Sequence, residues 1–264
     1  MVKITLLKNL TPLFLLPIFF ELFAQKDIES ADSIMVAGYF KLAMVYLNGD
    51  EVERDYQQAF KWFTQAAKLG HPESQYNLGW MYSSGAGGVQ NFTLAAKWYA
   101  KAAQQGITVA QFNLGRSYHN GDGLTQDFEQ AAHWYTLAAD KGHAMAQNNL
   151  GMLYHGGKGV PVDYLKAIKW YNHSAQQGSA NAQNNLAIMF AFGKGVPQDY
   201  VKAYAWVIVA KTNGVKNETF MEYLSSKIPS DQISYAQTLA GKLLAGFMPQ
   251  GLSLQRIQRV KNVR

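Results

Sequence analysis

Apolar residues return along this chain on two scales. At short range they fall three and four positions apart, the spacing that collects side chains on one face of an α-helix. At long range whole columns of residue types repeat every 36 positions. Tryptophan stands at Trp62, Trp98, Trp134, Trp170 and Trp206, and alanine at Ala59, Ala95, Ala131, Ala167 and Ala203. Leucine stands at Leu42, Leu78, Leu114, Leu150 and Leu186, while Tyr46, Tyr82, Tyr118 and Tyr154 continue into Phe190. Single glycines mark Gly70, Gly106, Gly142, Gly178 and Gly214, and glycines pair at 85 and 87, 121 and 123, 157 and 159, 193 and 195. A fixed period of about 20–50 residues signals a solenoid of stacked units.

Each unit reads as two helices. Ala110, Leu114, Gly115 and Tyr118 share one face of a first helix. Gly121 and Gly123 end it, because glycine tolerates positive φ. The Asp127 carboxylate caps the next helix by accepting orphan backbone N–H groups. Ala131, Trp134, Ala138 and Ala139 are expected as that helix's buried stripe, with Trp134 filling the gap between layers, and Gly142 closes it. Five units follow, 35–70, 71–106, 107–142, 143–178 and 179–214, after a lead-in at 25–34. The first is irregular, since Glu51 stands where later units have glycine. Beyond Gly214 the tryptophan column stops. Two further helices, Asn217 to Lys227 and Asp231 to about Phe247, are expected as a cap over 215–250.

These columns resemble the Sel-1-like repeat family, a relative of the tetratricopeptide repeat. The family pattern is met by Ala146, Leu150-Gly151, Tyr154, Gly157-Lys158-Gly159-Val160, Asp163, Ala167, Trp170, Ala175 and Gly178. Departures are Asn91 for Asp, Ala187 for Gly, Ser174 for the first Ala of its pair, and Glu51. The resemblance implies an all-α fold, a right-handed α/α solenoid whose first helices line a concave, partner-binding side. It also implies a role in assembling protein complexes.

The first 24 residues differ from the rest. Lys3 and Lys8 precede an apolar run from Leu10 to Phe20, and Ala24 is a small residue with Leu22 at minus three. That order predicts a signal peptide cut after Ala24, hence a secreted or periplasmic protein. Pro12, Pro17 and Glu21 disfavour a permanent anchor. Apolar residues make up 48% of the chain and charged ones 16%, the opposite of a disordered composition. The net charge is +6, but Arg256, Arg259, Lys261 and Arg264 supply four of those charges in a basic tail, 251–264. No nucleic-acid partner is expected from such a tail; weak contact with a membrane surface is the alternative it leaves.

Catalytic, cofactor and metal sites are not found. There is no cysteine. His71, His119, His133, His143, His155 and His173 lack the spacing and acidic company of a metal site. Gly157-Lys158-Gly159 lacks the hydroxyl residue and preceding strand of a phosphate loop. Neither Ser-x-x-Lys nor Lys-Thr-Gly occurs, although some family members are described as β-lactamases, so a hydrolase remains an alternative.

What remains is a surface for a protein or peptide partner. With Leu78, Gly79 and Tyr82 inward, a helical wheel turns 73, 76, 80, 83 and 84 outward. Carried through the repeats, this gives Phe40, Tyr76, Phe112, Asn148 and Asn184, and beside them Met44, Trp80, Arg116, Met152 and Ile188; the partner-binding residues are expected at Phe40, Met44, Tyr76, Trp80, Phe112, Arg116, Met152 and Ile188. Aromatics, methionine and arginine are favoured at interface cores. Asn77, Asn113, Asn149 and Asn185 border this face, and could be structural or could hold a peptide backbone.

Overall fold

The structure is a computed structural model. It describes residues 16–49 and 52–246, with side chains from residue 32 onward. Among the described residues there are twelve helices and no strands, so the fold is an all-α helical-repeat solenoid. They are α1 (Leu16–Asn48), α2 (Tyr56–Lys68), α3 (Pro72–Ser84), α4 (Phe92–Gln104), α5 (Thr108–Asn120) and α6 (Phe128–Asp140), then α7 (Ala144–Gly156), α8 (Tyr164–Gln176), α9 (Ala180–Ala191), α10 (Tyr200–Thr212), α11 (Glu218–Ser225) and α12 (Ser230–Gly246). None of the described helices is long and apolar enough to cross a membrane. Residues 1–15 of the expected signal peptide, Glu51 and the basic tail lie outside the described residues. The backbone of α1 is helical through the expected cut after Ala24.

The helices fall into two compact units, divided between Asn91 and Phe92. In the first, α1 packs on α2 and α2 on α3. In the second, α4 to α10 pack in sequence, and α11 and α12 both pack on α10.

Aspartates start the second helices. Asp55 accepts from the backbone N–H of Gln57 and Gln58, Asp127 from Glu129 and Gln130, Asp163 from Lys166 and Asp199 from Lys202. The first helices are started by other groups. Nδ1 of His71 and of His143 accepts from the N–H of Ser74 and Ala146, and Ser179 Oγ from Ala182. Each such cap contributes about 1 kcal/mol. The glycine pair then has two tasks. Gly85, Gly121 and Gly157 end first helices in the left-handed region. The second glycine solves a packing problem: a Cβ on Gly87, Gly123 or Gly159 would strike backbone at Tyr56, Phe92 or Phe128, the first residue of the preceding unit's second helix.

The core corrects one expectation. The aromatic between the helix layers is not the tryptophan but the residue after it: Phe63, Tyr99, Tyr135 and Tyr171 are all buried. Trp62, Trp98, Trp134 and Trp170 are half-buried. A residue one position along a helix is turned by about 100°, so the columns cannot both point at the facing helix. Trp206 differs, at 7% exposure, because it lies in the cluster that Leu224, Ile228, Ala236, Ala240 and Leu244 of the C-terminal segment help to form.

A buried polar column also runs through the repeats. Gln75, Gln111, Gln147 and Gln183 each donate from Nε2 to the carbonyl of Ala67, Ala103, Ala139 and Ala175, at 3.1–3.2 Å. Each adds a second donor, from the helix that follows, to a carbonyl that already accepts from the glycine N–H three residues on.

Candidate partner-binding face

In the second unit the first helices are α5, α7 and α9. Setting histidine aside, these three helices carry one formal charge, Arg116. The second helices of the same unit each carry two: Lys97 and Lys101, Glu129 and Asp140, Lys166 and Lys169, Lys202 and Lys211. The first helices expose fewer positions than α4, α6 and α8, yet they too face solvent. Val109 is 38% exposed, Met145 56%, Met152 46% and Phe192 52%. Arg116 is exposed and Ile188 half-buried. Val109 and Arg116 on α5, and Met145 and Met152 on α7, lie seven residues apart and share a stripe, and Phe192 caps α9 four residues after Ile188. An exposed stripe that is apolar and nearly free of charge has the composition of an interface core.

The polar groups on this face are engaged internally. Asn113 Nδ2 donates to the Val109 carbonyl at 2.9 Å, one turn back on its own helix. Asn185 Nδ2 donates to Asn148 Oδ1 at 3.0 Å, which ties α9 to α7, and Asn148 Nδ2 donates to Asn149 Oδ1 at 3.3 Å. In the first unit Asn77 Nδ2 donates to the Glu73 carbonyl at 2.9 Å. The asparagine column thus holds its own helices.

One end of the face is aromatic. The ring centroids of Phe192, Phe220 and Tyr223 stand 6.3–6.5 Å apart, with planes 10–18° from parallel. Stacking all three at about 3.5 Å would separate the outer planes by about 7 Å, more than these distances, so at least two rings lie side by side. Tyr200 reaches the same group, and its hydrogen bond with Tyr223 raises its pKa.

The histidines at the ends of α5 and α7 are paired with neighbouring groups. Lys194 Nζ lies 3.0 Å from His155 Nε2, and Tyr171 Oη 3.5 Å from His155 Nδ1. Lys194 also lies over the Tyr164 ring, as Lys158 lies over that of Phe128. Burial, then the neighbouring lysine, lowers the pKa of both His119 and His155. Desolvation likewise pushes the Tyr135 phenol up to about 12. Among the described residues no three His, Asp or Glu are grouped to hold a metal ion. In the first unit a recess of ≈ 850 Å³ is lined by Tyr46, Glu53, Arg54, Asp55 and Tyr56. Its Asp55 caps α2 and its Arg54 donates to the Asn48 carbonyl at 3.2 Å.

The Sel1 repeat model matches residues 36–71, 72–107, 108–143, 144–179 and 180–214. The chain belongs to the Sel1 repeat family. A Sel1 repeat protein from Oxalobacter formigenes is similar to it at 31% identity and a TM-score of 0.61, over 86% of this chain and 85% of that one. A sel1 repeat protein from Klebsiella pneumoniae is 22% identical, with a TM-score of 0.43 over 75% of this chain and 93% of that one. An immunity protein from Pseudomonas aeruginosa is 19% identical, with a TM-score of 0.44 over 85% and 86% of the two chains. No curated protein matches the chain.

On this Sel1 repeat framework the expected site residues separate. Arg116, Met152 and Ile188 lie on the stripes of α5, α7 and α9. Phe112 does not: it is 7% exposed, stacked 4.6 Å from the His143 ring and 6.0 Å from that of Tyr135. Its equivalent in the first unit, Phe40, is half-buried, 4.6 Å from His71 and 6.1 Å from Phe63. On both rings lies the histidine that caps the next first helix of the same unit. Met44, Tyr76 and Trp80 are half-buried on α1 and α3 of the first unit. Val109, Met145 and Phe192 were missed. The wheel that turns position 80 outward turns 73 outward too, and Val109 and Met145 are the 73 column one and two units on.

Proposed function

We propose that this Sel1 repeat protein is an exported, non-catalytic adaptor that binds a protein partner through the first helices of its second unit. One observation carries the reading: three neighbouring helices with solvent-facing stripes hold a single formal charge, while the second helices beside them hold two each. Surfaces kept only for solubility are charged and mixed. Interface cores lose charge and keep methionine, aromatics and arginine.

The test is crosslinking capture from native envelope and culture fractions. Full-length protein is compared with the Arg116→Glu, Met152→Glu variant, both verified as folded by circular dichroism. A partner held by the first and lost by the second supports the face. One captured equally by both overturns it.

Export rests on Lys3, Lys8, the run from Leu10 to Phe20, and Ala24. Mass analysis of the mature protein should find Gln25 first. An intact Met1 on the soluble mature protein would remove export from the proposal.

A further inference from the structure

We infer that the partner presents an amphipathic α-helix to this face, with apolar residues on one stripe and a carboxylate opposite Arg116. The inference rests on the reading above and names what fills the face.

Hydrogen-bond supply favours a helix over an extended peptide. An extended peptide brings an N–H and a C=O per residue that lose water on docking and need partners. Surfaces that read extended chains supply those groups. Here Asn113, Asn185 and Asn148 each already spend an N–H inside the protein, on Val109, Asn148 and Asn149, so fewer donors remain for an extended backbone. A helix pairs its own backbone and asks the surface only for apolar contact.

The apolar residues suit such a guest. Met145 and Met152 are exposed on one stripe of α7, with Ile188 on α9 and Val109 on α5. Methionine is unbranched and polarizable, and it moulds to the side chains of a docked helix. Phe192, Phe220 and Tyr223 close one end with flat apolar area. Neighbouring packed helices lie about 8–10 Å apart, and seven helical residues advance about 10.5 Å. A guest helix with an apolar residue at each heptad step thus presents apolar contacts at intervals close to the spacing of packed helices.

Charge sets the last feature. Arg116 is the one formal charge on the three helices, and no carboxylate lies on them. A guest of matching sign carries Asp or Glu at the Arg116 end and no lysine or arginine on its buried stripe.

The experiment is selection of a displayed library of random peptides, about three helical turns or longer, on the full chain. Enriched peptides are then measured against the wild type and against Met145→Glu, Met152→Glu. Both methionines are exposed, though Met152 Sδ accepts from Asn148 Nδ2 at 3.6 Å, so circular dichroism should match the wild type and binding is measured well below the variant's thermal midpoint. The expected pool has apolar residues at i, i+3 or i+4, and i+7 with an acidic residue beside them. Its members gain helical dichroism on binding, lose about tenfold or more in affinity on the double variant, and fail when proline is placed mid-peptide. Peptides that are extended or proline-tolerant, yet lose affinity on the double variant, overturn the helical guest and leave the face standing. Peptides that bind both proteins equally, or a selection that enriches nothing, overturn the helix and the face together.

Discussion

Gly151 of α7 lies under the ring of Tyr171 of α8, so close that a Cβ on Gly151 would stand 2.7 Å from two ring carbons. Gly115 and Tyr135 repeat the relationship one unit earlier. One unit later the pair is Ala187 and Val207, both buried in one cluster. At 187 the ring is absent and the methyl is present; in the first repeat the equivalent pair is Ala43 and Phe63, both buried, so a methyl is accommodated there beside a phenyl ring.

Gly151→Ala should therefore cost about 1–3 kcal/mol as overpacking. Tyr171→Val made in the same chain should recover part of that cost, since it recreates the Ala187–Val207 pair. Urea denaturation of the two single variants and the double closes the cycle. Additive costs would mean that the two side chains do not share the space.

Tyr135→Ala should destabilise more than Trp134→Ala, reversing the order that the tryptophan column suggests. The tyrosine is fully buried, and removing a large buried aromatic costs about 3–5 kcal/mol. The tryptophan keeps part of its surface in water in both states, so less transfer energy is lost. Chemical denaturation of the two variants gives the ranking.

Gly142 and Gly159 both have positive φ, but only Gly159 faces another backbone. Gly142→Ala should cost only the left-handed conformation, about 1–2 kcal/mol. Gly159→Ala should cost more, because its Cβ also meets Phe128 and pushes the turn off the preceding unit. Thermal midpoints of the pair separate conformational strain from packing.

Acid should weaken the fold in a defined window. His119, His143 and His155 have pKa values lowered from 6.5, each first by burial. The unfolded chain thus takes up protons first as pH falls, and stability decreases from about pH 6.5 down to the folded pKa values. Above that window these groups add no slope. Protonation at Nδ1 would also cost His143 its cap on Ala146, held at 3.2 Å. His143→Ser, the residue that caps α9 at 179, should keep the helix start and reduce the slope. Thermal midpoints between pH 5 and 8 for both proteins check this; an unchanged slope would exclude His143 as a source.

The architecture was legible in the sequence because it rests on period and backbone preference. Columns 36 residues apart gave five helix pairs, glycines needing positive φ marked their turns, and aspartates marked the second-helix starts. These are local properties, and local rules read them. The site was only partly legible. The wheel, which knows direction on an isolated helix, turned Arg116, Met152 and Ile188 outward, and the first two are exposed and the third half-buried. Phe112 was misplaced because the cover on it, His143, lies 31 residues away and reaches it only when one first helix packs on the next.

Tryptophan and tyrosine show the same division. Trp134 and Tyr135 are adjacent, both aromatic and both at periodic positions, and sequence alone chose the rarer residue. Which of two neighbours enters the layer depends on the partner across it, and Gly115 opens its space toward Tyr135. Repeat, turns and caps follow from the chain because each is settled within a few residues. Burial of a given side chain, and the bond from Asn185 to Asn148 that ties α9 to α7, were decided by contacts that exist only once helices distant in sequence are packed together.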